Sequence, residues 1–178
     1  MFILASESPR RKKLLKQIVK DFIIVSANVN EREYRFNINQ YALELSKLKA
    51  YEVFSRYPNN SVLACDTIVI YNNKILNKPK DKKDAIRMLK LLSNNKHIVI
   101  SSYTYINKNK EINRSVKSIV TFNKLSNELI NEYVNKGLSF NKAGAYGIQD
   151  GYDLVKSVEG SYNNVVGLPI EDIKKHIF

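Results

Sequence analysis

Cysteine and histidine are scarce in this chain of 178 residues, which contains one Cys and two His. A single cysteine cannot form an intrachain disulfide. One Cys and two His are also too few for the four protein ligands of a structural zinc site. These shortages exclude a disulfide-stapled domain and a structural zinc domain, and they favour a reducing, cytoplasmic compartment.

Long hydrophobic runs are also missing. The longest ones, at residues 62–65 and 68–71, are far shorter than the ~20 residues that a membrane-spanning helix requires. The first cluster of cations, at residues 10–13, follows the first apolar segment, whereas a signal peptide has its cations before it. We therefore expect no membrane span, no membrane partner and a cytoplasmic location.

Acidic residues are in deficit, with 17 Asp and Glu against 29 Lys and Arg, for a net charge of +12. Such a surplus fits either nucleic-acid binding or a solvated, lysine-rich surface. Lysines are scattered along the whole chain, and most of the 11 Tyr and 7 Phe fall in apolar-periodic positions and form no exposed aromatic face. We therefore expect a lysine-rich surface and no nucleic-acid partner.

Short apolar runs alternate with amphipathic stretches, which is typical of an α/β or mixed α+β fold. Strands are predicted at residues 2–5, 22–26, 62–71, from 74 onward, 97–106 and 116–122. Helices are predicted after the caps Ser8, Asp81 and Ser126, over residues 41–57 with Tyr51 on the inner face, and from Pro169. Asn72-Asn73 suits a tight hairpin, and because the length fits one domain and no linker is evident, we expect a single domain over residues 1–178.

All six glycines lie between Gly137 and Gly167, in a stretch that contains KAGAYGIQDG and EGSYNNVVGLP. Conformational freedom is thus concentrated in one region of the chain. Two interpretations remain open at this point. The region is either a set of loops that approach a ligand closely, or the turns of a C-terminal hairpin.

Four consecutive cations, at residues 10–13, follow the predicted helix cap Ser8. The start of a helix carries partial positive charge and free N–H groups, so cations are disfavoured there. A polyphosphate would resolve this conflict by accepting hydrogen bonds from the N–H groups, from Ser6 and Ser8 and from the guanidinium groups. The alternative is that these side chains extend into water at a small cost.

Asp66 interrupts an apolar segment, and a carboxylate there is costly to bury unless it is paired with a cation or a metal ion. It is therefore the best candidate for a metal ligand or general base, or else it caps a turn at the end of a strand. Glu31 is either a second oxygen ligand or a solvent-facing residue. Lys49 and Lys78 are weaker candidates for phosphate contacts, since both also fit surface positions.

The segments ILASESPRRKKLL, ACDTIVIYNNKILNKP, KAGAYGIQ and GSYNNVVGLP resemble, in this order, motifs of the Maf family of nucleoside triphosphate pyrophosphatases. The resemblance covers nearly the whole chain. It implies a two-lobed α/β domain with a long, curved mixed sheet flanked by helices around a central cleft, similar to inosine triphosphate pyrophosphatases. It also implies a hydrolase of acid anhydrides that cleaves a nucleoside triphosphate to the monophosphate and pyrophosphate.

The resemblance further implies roles for particular residues. Phosphate contacts are expected at Ser6, Arg10, Arg11, Lys49 and Lys78. The carboxylates Asp66 and Glu31 would be catalytic and would hold a divalent cation, Mg²⁺ or Mn²⁺. Thr67 and Gln149 would contact the base and are similar to the branch of the family that prefers dTTP and UTP.

The chain departs from the family pattern after Gln149, where Asp150 occupies a position that usually holds glycine. Aspartate tolerates a positive φ, so the turn can persist, but the added negative charge bears on base preference. Two other functions stay open: a pyrophosphatase for modified nucleotides, and a non-catalytic protein that binds nucleic acid or regulates division. A homodimer is also left open.

Overall fold

The computed structural model describes residues 1–31 and 36–178, and within them seven strands form one mixed sheet. The strands are β1 (Phe2–Leu4), β2 (Ile23–Ile24), β3 (Ser61–Tyr71), β4 (Lys74–Leu76), β5 (Lys96–Ile106), β6 (Glu111–Phe122) and β7 (Val155–Glu159). Their order is β2-β1-β3-β5-β6-β7, with β4 also paired to β3. The pairs of β1 with β2 and with β3 are parallel, and all other pairs are antiparallel. The predicted α/β class is confirmed.

Helices pack on both faces of this sheet. They are α1 (Pro9–Leu15), α2 (Tyr41–Arg56), α3 (Lys82–Leu92), α4 (Asn127–Asn135), α5 (Tyr162–Val166) and α6 (Ile170–Ile177). The predicted caps are confirmed, because the side chains of Ser8, Asp81 and Ser126 each accept a hydrogen bond from a backbone N–H in the first turn. Within the described residues, no helix is long and apolar enough to cross a membrane.

The edge of β3 that faces β1 is interrupted. β1 pairs only with residues 61–63 of β3, and β4 pairs only with residues 69–71. In the described ranges of the chain, residues 64–68 therefore have a partner strand on one side only, which is β5. Asp66 and Thr67 lie in this gap. Successive side chains of a strand point to opposite faces of the sheet. Asp66 and Thr67 therefore reach the gap from opposite faces.

The hairpin between β3 and β4 turns at Asn72 and Asn73, as predicted, and both residues have positive φ values, of 47° and 57°. Two consecutive residues with positive φ match the twist of the flanking strands in a two-residue turn. The hairpin brings Lys78, which follows β4, back beside the gap in β3.

Several predicted boundaries differ from the structure. β2 covers only residues 23 and 24, which pair with Ile3 and Leu4 of β1. The apolar spacing of Leu14, Leu15, Ile18 and Val19 predicts a longer first helix, but α1 ends at Leu15. Hydrogen bonds between residues three apart tighten the chain after it. Tyr51 is 42% exposed and does not face inward, because Ala50 and Val53 supply the buried contacts of α2 at this level. Strand β7 and helix α5 were not predicted.

Candidate active site

A single cleft of about 1420 Å³ contains every site residue that the sequence predicted. These residues are Ser6, Arg10, Arg11, Glu31, Lys49, Asp66, Thr67, Lys78 and Gln149. The cleft runs along the interrupted edge of β3, between the start of α1 and the loops that contain the glycines. The chain thus brings together residues that are as far apart in sequence as Ser6 and Gln149.

Lys49 lies between the two candidate carboxylates. Its Nζ is 2.6 Å from Oδ1 of Asp66 and 2.7 Å from Oε1 of Glu31. The lysine is positioned by α2, whose Ala50 and Val53 pack on the face of β3 that also carries Asp66. The predicted need of Asp66 for a partner is therefore met by Lys49, and one ammonium group holds both carboxylates toward the same point of the cleft.

Burial and charge oppose each other in this cluster. Burial acts to lower the pKa of Lys49, but the charges of Asp66 and Glu31 outweigh it, and the pKa of Lys49 is raised. Burial likewise acts to raise the pKa of Glu31, but Lys49, with smaller contributions from Lys78 and Arg11, outweighs it, and the pKa of Glu31 is lowered. Lys49 is thus held as a cation and Glu31 as an anion at neutral pH.

Arg11 joins three segments of the chain at the other side of the gap. Its Nε donates to the carbonyl oxygen of Gly167 at 2.9 Å, its Nη1 to Oγ of Ser6 at 3.1 Å, and its Nη2 to Oγ1 of Thr67 at 3.1 Å. A guanidinium group has five N–H donors, so two have no acceptor among residues 1–31 and 36–178. Thr67 therefore lies beside the guanidinium of Arg11, at the cation-rich part of the cleft.

Gly167 is held in place by a buried asparagine of the GSYNNVVGLP segment. Asn164 is fully buried on α5, where its Oδ1 accepts from the backbone N–H of Ser101 and its Nδ2 donates to Oγ of Ser118 and to the carbonyl oxygen of Val99. These bonds attach α5 to β5 and β6. The carbonyl at the end of α5 can then accept from Arg11.

Arg10 points across the cleft, and its Nη2 donates to the carbonyl oxygen of Asn141 at 3.4 Å. Burial and, secondarily, the charge of Arg11 lower its pKa. Among the described residues, no carboxylate forms an ion pair with Arg10 or Arg11, and two adjacent, partly buried guanidinium groups destabilise each other unless an anion lies between them. Lys78 and Lys80 add two further cations to the same cleft.

The loop that contains KAGAYGIQ ends in a compact network around Asp150. The carboxylate of Asp150 accepts hydrogen bonds from Lys142, Tyr133 and Gln149. The turn persists without a positive φ at Asp150 itself. Gly151, with φ of 78°, adopts the positive φ, and the charge of Asp150 is paired with Lys142.

Several cleft residues were not predicted. Lys80 follows Lys78 at a spacing of two, and this spacing could have identified it, because extended chain places such residues on the same side. Lys142 begins the KAGAYGIQ segment, but its pairing with Asp150 has no local signal in the sequence. The role of Asn164 likewise has no local signal in the sequence, because its hydrogen-bond partners lie on β5 and β6.

Comparisons with known proteins agree with this geometry. A family model described as Maf-like protein matches residues 1–177. A dTTP/UTP pyrophosphatase from Clostridium botulinum (strain Okra / Type B1) is 46% identical over 179 residues, which cover 96% of this chain and 92% of the relative. Another from Thermococcus onnurineus (strain NA1) is 43% identical over 176 residues, which cover 98% and 95%.

Among solved structures, the Staphylococcus aureus Ham1 protein aligns with 68% of this chain and 70% of its own chain, with 13% identity and a TM-score of 0.46. The family model spans nearly the whole sequence, and the sequence relatives match over almost their full length. The chain belongs to the Maf family.

Proposed function

We propose that this protein is a nucleoside triphosphate pyrophosphatase that hydrolyses dTTP and UTP to the monophosphate and pyrophosphate. The observation that carries the proposal is the cleft itself, where Arg10, Arg11 and Lys78 surround the pair of carboxylates bridged by Lys49. A triphosphate is the ligand that such a cation-rich cleft favours. The names of the close relatives support the choice of dTTP and UTP.

In this proposal the phosphate chain contacts Ser6, Arg10, Arg11, Lys49 and Lys78, and the base contacts Gln149, with Thr67 supporting specificity through its neighbour Arg11. The whole chain, residues 1–178, acts as one domain. Arg10 spans the cleft from α1 to the loop at Asn141 and would hold the phosphates between the two sides.

Glu31 and Asp66 fit a divalent cation such as Mg²⁺ or Mn²⁺. Both carboxylates converge within 2.7 Å of a single point, the Nζ of Lys49. The described part of the chain has no group of three or more His, Cys, Asp or Glu that could hold a metal ion, so a cation here would depend on these two carboxylates and on the substrate. Mg²⁺ is commonly held by one or two carboxylates together with substrate phosphates. A bound cation would supply positive charge to the phosphate oxygens.

The chain's own residues then account for the reaction. A water oxygen attacks the α-phosphorus, and the bond between that phosphorus and the bridging α–β oxygen breaks. Asp66 accepts the proton of the water, while Lys49 keeps its carboxylate directed into the cleft. Pyrophosphate leaves as an anion whose charge is balanced by Arg10 and Arg11.

Hydrolysis of UTP in ¹⁸O-labelled water with Mg²⁺ tests this reaction. We expect UMP and pyrophosphate as the first products, with the label in UMP, because the water attacks the α-phosphorus. Orthophosphate and UDP, or label in pyrophosphate, would show that another bond is cleaved. A panel that includes dTTP, CTP, 7-methyl-GTP and modified nucleotides separates the proposed substrates from the alternatives.

A further inference from the structure

Asp150 holds the amide of Gln149 in one orientation. Its Oδ1 accepts from Nε2 of Gln149 at 2.9 Å. A carboxylate can only accept hydrogen bonds, so the amide must turn its nitrogen toward Asp150 and its oxygen away. A rotation of the amide by 180° would bring its oxygen against the carboxylate.

Asp150 is itself held firmly. Its Oδ2 accepts from Lys142 and from the hydroxyl of Tyr133, and its side chain is only 9% exposed. Lys142 also donates to the carbonyl oxygen of Leu138 at 2.7 Å. Both oxygens of the carboxylate are therefore used, and the group that contacts Gln149 cannot easily turn away.

Gly147 makes room for this contact. A hydrogen bond of 3.2 Å from the N–H of Asp150 to the carbonyl oxygen of Gly147 closes a turn that brings the two residues together. A Cβ at position 147 would lie 2.5 Å from Nε2 of Gln149 and 2.6 Å from Oδ2 of Asp150. The absence of a side chain at Gly147 is thus a condition for the pair to form.

The orientation of this amide has a direct consequence for base recognition. Uracil and thymine present an N3–H donor beside an O4 acceptor, whereas cytosine presents an N3 acceptor beside an amino donor. A glutamine amide that rotates freely can pair with either edge, because it carries one acceptor and one donor group. Discrimination between the two bases requires an amide whose orientation is fixed.

We propose that Asp150 is a positioning residue that makes the protein distinguish uracil and thymine from cytosine by fixing the orientation of the Gln149 amide. This inference rests on the proposed function and adds the contact that sets the base preference of the protein. Asp150 acts through Gln149 and contacts no phosphate or reacting atom.

The test compares kcat/KM for UTP and CTP in the wild type, in Asp150→Asn, in Gln149→Ala and in the double variant. Asparagine keeps the shape of Asp150, but Lys142 can only donate and therefore holds the asparagine oxygen, which leaves the asparagine NH2 group to donate to Gln149 and favours the inverted orientation of the glutamine amide. We expect the UTP-to-CTP ratio to fall at least about tenfold in Asp150→Asn, mainly through a lower KM for CTP. In the Gln149→Ala background, the same substitution should leave the ratio unchanged.

A folded Asp150→Asn variant that keeps the wild-type ratio would overturn the inference, as would an equal effect with and without Gln149. Should this variant fail to fold because Lys142 has lost its partner, the pair Asp150→Asn with Lys142→Met removes both charges, and the same outcomes apply. Gly147→Ala should lower the ratio as well, because its Cβ separates Gln149 from Asp150. A wild-type protein that hydrolyses neither UTP nor dTTP contradicts the proposed function instead.

Discussion

Mild acid should destabilise this protein through one buried histidine, His97. The residue is 2% exposed, and its Nε2 lies 2.7 Å from the hydroxyl of Tyr146, while its Nδ1 has no hydrogen-bond partner among the described residues. Its ring packs edge-to-face on Phe122 and Tyr146. Burial lowers the pKa of His97 from 6.5 to about 4.

The sign and size of the effect follow from this pKa. The unfolded chain binds a proton at His97 below pH 6.5, whereas the folded chain binds it only near pH 4. The contribution of His97 to the free energy of unfolding is therefore fully present above pH 6.5 and is lost as the pH drops from 6.5 toward 4. The full shift corresponds to about 3 kcal/mol, of which about 2 kcal/mol is lost by pH 5.

Carboxylates with a lowered pKa contribute little between about pH 7.5 and about pH 5. Carboxylates with a lowered pKa, such as Glu31, lose their stabilisation only as the pH falls below their unfolded value of 4.5. The interval from about pH 7.5 to about pH 5 thus separates the effect of His97 from the effects of these carboxylates.

Urea unfolding at these two pH values measures the effect in the wild type, in His97→Phe and in His176→Asn. Phenylalanine keeps a ring against Phe122 but cannot titrate. We expect the wild type and His176→Asn, the control at the other histidine, to lose about 2 kcal/mol between the two pH values, and His97→Phe to lose little. The lost bond to Tyr146 would lower the stability of His97→Phe by about 1 kcal/mol at both pH values. An equal loss in His97→Phe and the wild type would refute the reasoning.

Two further predictions concern the cleft. Asp66→Asn keeps the shape of the side chain but removes the proton acceptor, so UTP turnover should fall at least about 10²-fold in a folded protein; near-normal turnover would eliminate Asp66 as the catalytic carboxylate. Arg11→Lys cannot keep three directed hydrogen bonds and should lower the free energy of unfolding in urea by about 1–2 kcal/mol, whereas Arg10→Lys, which loses one long bond, should lower it less. Equal losses for the two arginines would contradict the structural role of Arg11.

Features that depend on neighbouring residues could be predicted from the sequence. Ser8, Asp81 and Ser126 cap helices because a short polar side chain can reach the N–H groups two or three residues later. The turn at Asn72 and Asn73 is local in the same sense. The sequence therefore placed most helices and long strands correctly.

Features that depend on residues distant in sequence could not be predicted in this way. The charge of Lys49 is explained by Glu31 and Asp66, which come from a loop and from β3. Asp150 looks like an added charge beside the base until Lys142 is seen next to it. In both cases the identity of the partner depends on packing between elements, which single-sequence patterns do not contain.

The interrupted edge of β3 explains why the strongest signal in the sequence marked the site. A carboxylate in the middle of an apolar strand would be costly if neighbouring strands covered it on both sides. Because β1 and β4 pair only with the two ends of β3, Asp66 is flanked by apolar residues and still reaches both Lys49 and the cleft. Thr67 reaches Arg11 from the opposite face through the same gap. The polar interruption in the sequence and the gap in the sheet thus lie at the same place, where Asp66 and Thr67 reach the cleft.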